Sequence, residues 1–144
     1  MNRTDALEIL VHEYCHLTQW IDDIPLWKMT ETSGPLLDDW LAGKSVRNIK
    51  KHIANMRDLE LDNERRAVKL IKEWGLSIDI PQYIKKANAY ILFYNWLYFT
   101  RKWSSPDNTP YTNEHILTFM SDKFNMKYSN LSDKVLQAFM VEQI

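Results

Sequence analysis

Apolar residues recur in this chain at steps of three and four, the spacing of helices that bury one face. No convincing run alternates between apolar and polar positions as a half-buried strand would, and no segment repeats another. Three Gly and five Pro punctuate the pattern. Thr4 or Asp5 can cap a first helix reaching about Ile21, with Asp5 and Glu8 spaced like a capping-box pair. Residues 22–33, which include Pro25, read as a connector with local turns. Gly34-Pro35 then opens a short helix (Leu36, Leu37, Trp40, Leu41) that stops at Gly43. Ser45 is placed to cap a long helix ending at Gly75, and Pro81 stands at the start of another running to about Trp103. Beyond a polar loop over residues 104–110, Thr112 caps a helix through Phe119, and Ser132 caps a last one from Asp133 to the end. The expected fold is all-α, a single compact domain over residues 1–144.

The long helix contains an irregularity. Its apolar face passes through Ile49, Ile53 and Met56, then Ala67, Ile71 and Trp74, but positions 60 and 64 in the middle are both glutamate. A buried stripe does not carry two carboxylates without compensation, because burying a charge costs several kcal/mol unless it is paired or coordinated. If the helix is exposed there, Glu60 and Glu64 can pair with Arg57, Arg65 or Lys69 as solvated charges. If it is buried, something must bind them.

Composition narrows the setting. Of 144 residues, 45% are hydrophobic, 26% charged and 12% aromatic, an ordinary globular balance with an aromatic excess. Eighteen basic and nineteen acidic residues leave a net charge of −1, which lacks the basic field that binding a phosphate backbone needs. Nucleic acid is therefore not an expected partner. The single cysteine, Cys15, excludes an intrachain disulfide and fits a reducing compartment. No charged-then-apolar leader opens the chain, and the most apolar stretch, residues 89–99, is short and interrupted by Asn95. A cytoplasmic location without membrane contact is the expectation.

The first helix supplies the compensation that the stripe demands. His12-Glu13-Tyr14-Cys15-His16 is an H-E-x-x-H, and on a helix residues i and i+4 stand on the same face. His12 and His16 can hold one metal ion, with Glu13 beside them as general base for a bound water, the arrangement of zinc hydrolases. Ile9 and Trp20 share that face and would wall a pocket around the histidines. Either Glu60 or Glu64 can then be the third ligand, the other orienting a ligand histidine. In zincins called gluzincins the ligand Glu precedes an acidic residue by four positions, which favours Glu60 as ligand and Glu64 behind it.

These segments resemble a known family. Val11-His12-Glu13-Tyr14-Cys15-His16, the run from Leu59 through Glu60 and Glu64 to Ala67, and the run from Tyr83 to Tyr90 are similar to uncharacterised, phage-associated metallopeptidase-like proteins. More distantly they resemble the ImmA/IrrE type of minimal gluzincin, which pairs H-E-x-x-H with a downstream E-x-x-A-(N/D)-x-F-A. The resemblance implies His12, His16 and Glu60 as zinc ligands, Glu13 as base, and a peptide or protein as substrate, in the host cytoplasm if phage-encoded. Asn63, Glu64 and Arg66 depart from the second motif, while Ala67 matches its last alanine. Only eleven residues precede His12, where zincins usually carry a small β-sheet that holds substrate by strand addition. Either part of the usual domain is lacking or substrate is bound another way; the expectation is a reduced, sheet-free zincin-like core, and the alternative is a non-catalytic protein-interaction module with a structural metal.

Other residues carry weaker signals. Cys15 lies about a third of a turn from the histidine pair and reads as a buried structural thiol rather than a ligand. Tyr14 reads as core. Tyr83, Tyr90 and Tyr94 read as a packing stripe, of which one hydroxyl can face an oxyanion. Asn88 and Asn95 suit hydrogen bonds within the core or to substrate. His52 and His115 read as surface residues.

Overall fold

Helical periodicity is met by helices throughout. The computed structural model describes residues 3–144. It contains α1 (Arg3–Ile21), α2 (Pro25–Leu41), α3 (Ile49–Glu73), α4 (Ile80–Thr100), α5 (Glu114–Leu117) and α6 (Asp133–Val141), with no strand among the described residues. The long α3 lies at the centre, packed against α1, α2 and α4, while α5 joins α4 to α6. No described helix is long and apolar enough to cross a membrane.

Local chemistry sets most boundaries. Asp79 accepts a hydrogen bond from the Gln82 amide at 3.1 Å and caps α4, with Pro81 in its first turn where a missing N–H leaves nothing unpaired. Ser132 does the same for α6 through the Val135 amide. Several expected boundaries move; Thr4 and Asp5, for example, lie inside α1 rather than capping it. Ser45 does not cap α3: Asn48 does the turning, in the left-handed region at φ 56°, a conformation asparagine tolerates. α4 stops at Thr100 rather than Trp103, because Arg101 is left-handed at φ 54°. Its guanidinium then donates to the carbonyls of Trp40 and Lys44, both at 2.7 Å, tying the end of α4 to the end of α2. Asn113, not Thr112, caps α5 through the Ile116 amide at 3.0 Å, and α5 ends at Leu117.

The largest correction is α2. Residues 22–33 are not a connector; most of them form the first half of this helix, and Pro35 lies inside it rather than at its start. Pro25 occupies the first turn, where proline is suited. Pro35 removes the bond to the Glu31 carbonyl, but both residues are exposed, so the freed carbonyl is open to solvent. The buried side holds the helix together. Leu37 and Trp40 join Ile53 of α3 in the main core, and Ser33 accepts from Asn55 at 2.9 Å and bonds His52 Nδ1 at 3.0 Å. His52 is therefore half-buried and engaged, not a free surface residue.

Two apolar clusters flank α3. The larger collects Ile53, Leu92, Phe93, Leu97, Ile116 and Phe139 with their neighbours. The smaller joins Val11 and Cys15 of α1 to Ala67, Val68 and Ile71 of α3 and Tyr83, Ile84 and Ala87 of α4. Cys15 is a buried thiol in this cluster, its pKa pushed up to about 11 by burial and by the nearby Glu64 charge. Asn88 is fully buried, donating to the carbonyls of Ser121 and Lys123 and accepting from Tyr128, so it fixes the 121–128 loop. Asn95 serves the same loop through the Tyr128 carbonyl. Trp74 is exposed, so the α3 stripe ends at Ile71, and Tyr14 is half-exposed beside it rather than in the core.

Candidate metal centre

Glu60 and Glu64 are both buried, and both turn toward α1. Neither pairs with Arg57, Arg65 or Lys69 among the described residues; their partners are histidines and a tyrosine. The solvated alternative for the two carboxylates is thereby set aside.

The structure brings His12, His16 and Glu60 together. His12 Nε2 and His16 Nε2 lie 3.1 Å apart, and Glu60 Oε2 lies 3.6 and 3.4 Å from them. These three residues are close enough to bind one metal ion. A four-coordinate ion with bonds of about 2.0–2.1 Å to nitrogen and oxygen sets its donors about 3.3 Å apart, so the observed triangle has the right size. Glu64 is not in the triangle; its Oε1 meets the other nitrogen of His12, Nδ1, at 2.8 Å.

The hydrogen-bond network assigns the protons. Glu64 accepts a hydrogen bond from the Tyr83 hydroxyl on one oxygen, and its other oxygen accepts from His12 Nδ1. Gln19 donates to the Leu59 carbonyl at 3.0 Å and to Asp62 at 2.8 Å, which leaves its carbonyl oxygen to accept from His16 Nδ1 at 2.8 Å. Arg66 holds Asp62 in turn, at 2.8 Å. With both Nδ1 atoms donating, both Nε2 atoms present lone pairs. Two lone pairs and a carboxylate oxygen thus face one another, and Glu60 Oε2 is buried with no hydrogen-bond partner. Such an arrangement is repulsive unless a cation or proton sits among the three.

The pKa directions show the same pull. Burial lowers the pKa of His12, but the Glu64 hydrogen bond and the charges of Glu64, Glu60 and Glu13 outweigh it and leave the group above 6.5. For His16, burial is outweighed by Glu60 and by the bond to Gln19. A site that attracts a proton this way attracts a metal cation for the same reason. Burial and the Glu64 charge hold Tyr83 far above the usual phenol range, so it remains a donor.

The surroundings differ from the expected walls. Trp20 is exposed and walls nothing; the aromatic facing His16 is Trp27 of α2, at 6.4 Å between ring centroids. Ile9 does line a cleft of about 450 Å³ that opens beside His12, together with Glu13, Glu64, Tyr83, Lys86 and Tyr90. Glu13 is exposed on this cleft. Tyr83 spends its hydroxyl on Glu64, and Tyr90 and Tyr94 bond each other at 3.3 Å. Sequence reasoning missed Gln19, Asn63 and Trp27. Gln19 sits three residues after His16 and Asn63 three after Glu60, each within a turn of a site residue, which was the available signal; the Asn63 amide donates to the His12 carbonyl at 3.1 Å, and Trp27 carried no such signal.

No protein-family model, no curated protein and no solved structure matches the chain. The site therefore rests on its own geometry.

Proposed function

We propose that this chain is a zinc-dependent metallopeptidase of minimal gluzincin type, hydrolysing a peptide or protein with Glu13 as general base. The observation that carries the reading is the meeting of two imidazole Nε2 atoms and a buried carboxylate oxygen without a hydrogen-bond partner at His12, His16 and Glu60. Two histidines and a glutamate form the donor set that catalytic zinc uses, with a fourth position left for water or substrate. Bound there, zinc would supply polarisation of the scissile carbonyl and acidification of the attacking water. Glu13, beside His12 in sequence and open to the cleft, takes the water's proton on its carboxylate and returns it to the departing amine. Glu64 and Gln19 keep the imidazoles in the tautomer that aims Nε2 inward, and Tyr83 and Asp62 hold those two in place.

A second reading, a structural metal in a protein-interaction module, draws support from the low exposure of all three donors, 20%, 21% and 8% for the His16, His12 and Glu60 side chains. One experiment separates the two. Purified wild-type protein is expected to carry one zinc per chain by mass spectrometry, and His16→Ala none. Glu13→Gln is expected to keep its zinc while losing cleavage of an unfolded protein substrate. A metal-free wild type sinks both readings, whereas a zinc-loaded wild type that cleaves nothing leaves the structural one.

A further inference from the structure

On α1, the side turned away from the histidines carries an apolar stripe that no other described element covers. Leu10, Tyr14, Leu17 and Ile21 follow at steps of four, three and four, and are 65%, 42%, 46% and 64% exposed. At about 100° per residue they fall in one narrow arc, roughly opposite His12 and His16. Trp74 at the end of α3 extends the patch, its ring 5.8 Å from that of Tyr14, and exposed Trp20 borders it. None of these six side chains belongs to either core cluster.

Two physical arguments say what covers such a face. The first is area. The exposed parts of the six side chains come to something on the order of 700 Å², above the patch a monomer ordinarily leaves bare and close to the roughly 800 Å² each partner contributes to a standard interface. The second is self-complementarity. Steps of four, three and four are the seam spacing of a helix that pairs with another helix. Laid antiparallel about a twofold axis near the middle of the stripe, Leu10 meets Ile21 of the second copy and Tyr14 meets its Leu17. Every seam position then has an apolar partner, and large meets small instead of Tyr14 meeting Tyr14. The opposed helix dipoles favour the same orientation, and a net charge of −1 per chain sets up little repulsion between copies.

We propose that the outward face of α1 is a homodimer interface, with two copies pairing their α1 helices antiparallel through Leu10, Tyr14, Leu17 and Ile21. The contact is isologous, each copy contributing the same patch. It leaves the cleft beside His12 open in both copies, since the two faces of α1 point in different directions.

Sedimentation equilibrium on the full chain tests this. The expected result is a species of twice 17.2 kDa at micromolar concentration, dissociating on dilution. Leu17→Glu is expected to sediment at the single-chain mass with its helical circular dichroism unchanged, because Leu17 lies outside both cores. If that variant does not fold, Ile21→Lys, nearer the end of the stripe, is expected to weaken the dimer at least about tenfold. Orientation is read by mild oxidation of mixed Leu10→Cys and Ile21→Cys proteins, expected to link to each other in preference to themselves; buried Cys15 does not compete. A wild type that stays monomeric at high micromolar concentration, even if it binds lipid vesicles, overturns the proposal. So does a dimer that both charge variants leave intact, or a Leu10→Cys protein that links preferentially to itself.

Discussion

The two sides of α3 bury comparable positions with opposite chemistry. Toward α4 and α6 the packing is aliphatic and aromatic: Leu92, Phe93, Leu97, Ile116 and Phe139 are almost wholly buried, and their requirements are met by one another. Toward α1 the same helix presents Glu60, Asn63 and Glu64, and α1 answers with His12, His16 and Gln19. Most of this polar interface is satisfied internally through the chains Tyr83–Glu64–His12 and Arg66–Asp62–Gln19–His16. Its centre is not. One region is complete as folded; the other gathers three donor atoms close enough to bind one metal ion around a buried carboxylate oxygen that no hydrogen bond satisfies.

The comparison can be broken most severely from the apolar side. Phe139→Ala removes a fully buried ring that packs on Trp96, and should cost about 3–5 kcal/mol in denaturant unfolding, with or without metal. Against a typical total of about 5–15 kcal/mol, that leaves a marginal protein. A loss under about 1 kcal/mol would show that the larger cluster is not what holds the fold together. At the polar side the dependence on metal should invert. Zinc at a hundredfold excess over its dissociation constant should stabilise the wild type by about 2.7 kcal/mol. Glu60→Leu should lose that response, while its metal-free form melts no lower than the metal-free wild type, because the substitution removes a buried carboxylate oxygen that has no hydrogen-bond partner. A metal-free Glu60→Leu that melts far lower would show that the cluster is structural on its own.

The smallest effect lies at the surface. Asn113 and His115 hold the Glu142 carboxyl below its usual 4.5. A carboxyl whose folded pKa is depressed stabilises fully above its unfolded value and loses that contribution as pH falls through the folded one. Glu142→Gln should therefore lower the melting temperature at neutral pH by less than about 2 °C, and the difference should vanish in acid. A gap that widens on acidification would reverse the assignment.

Much of this architecture was legible from residue order. The helix start at Pro81, the Ser132 cap and the two glutamates interrupting the α3 stripe are local features, set by spacing and capping within a turn or two. The course of α2 was not legible, because Pro25 and the Gly34-Pro35 pair argue locally for breaks. The helix persists because Ser33, Leu37 and Trp40 find partners on or beside α3 that outweigh one missing backbone bond. Tyr14, Trp20 and Trp74 misled for a related reason. Large aromatic residues at helical spacing are expected inward, yet these three border the exposed face of α1.

The sequence by itself determined that the chain is helical and that one helix carries two histidines and another two carboxylates, since these follow from a periodicity of 3.6 residues. Only the tertiary structure decided that Glu60 joins His12 and His16 while Glu64 stands behind His12, and that Gln19 and Tyr83 complete the network. Helical spacing puts both glutamates on one face of α3 without saying which lies level with the imidazoles. That choice depends on how far α1 is shifted and rotated along α3, which is set by the packing of Val11 and Cys15 against Ala67, Val68 and Ile71.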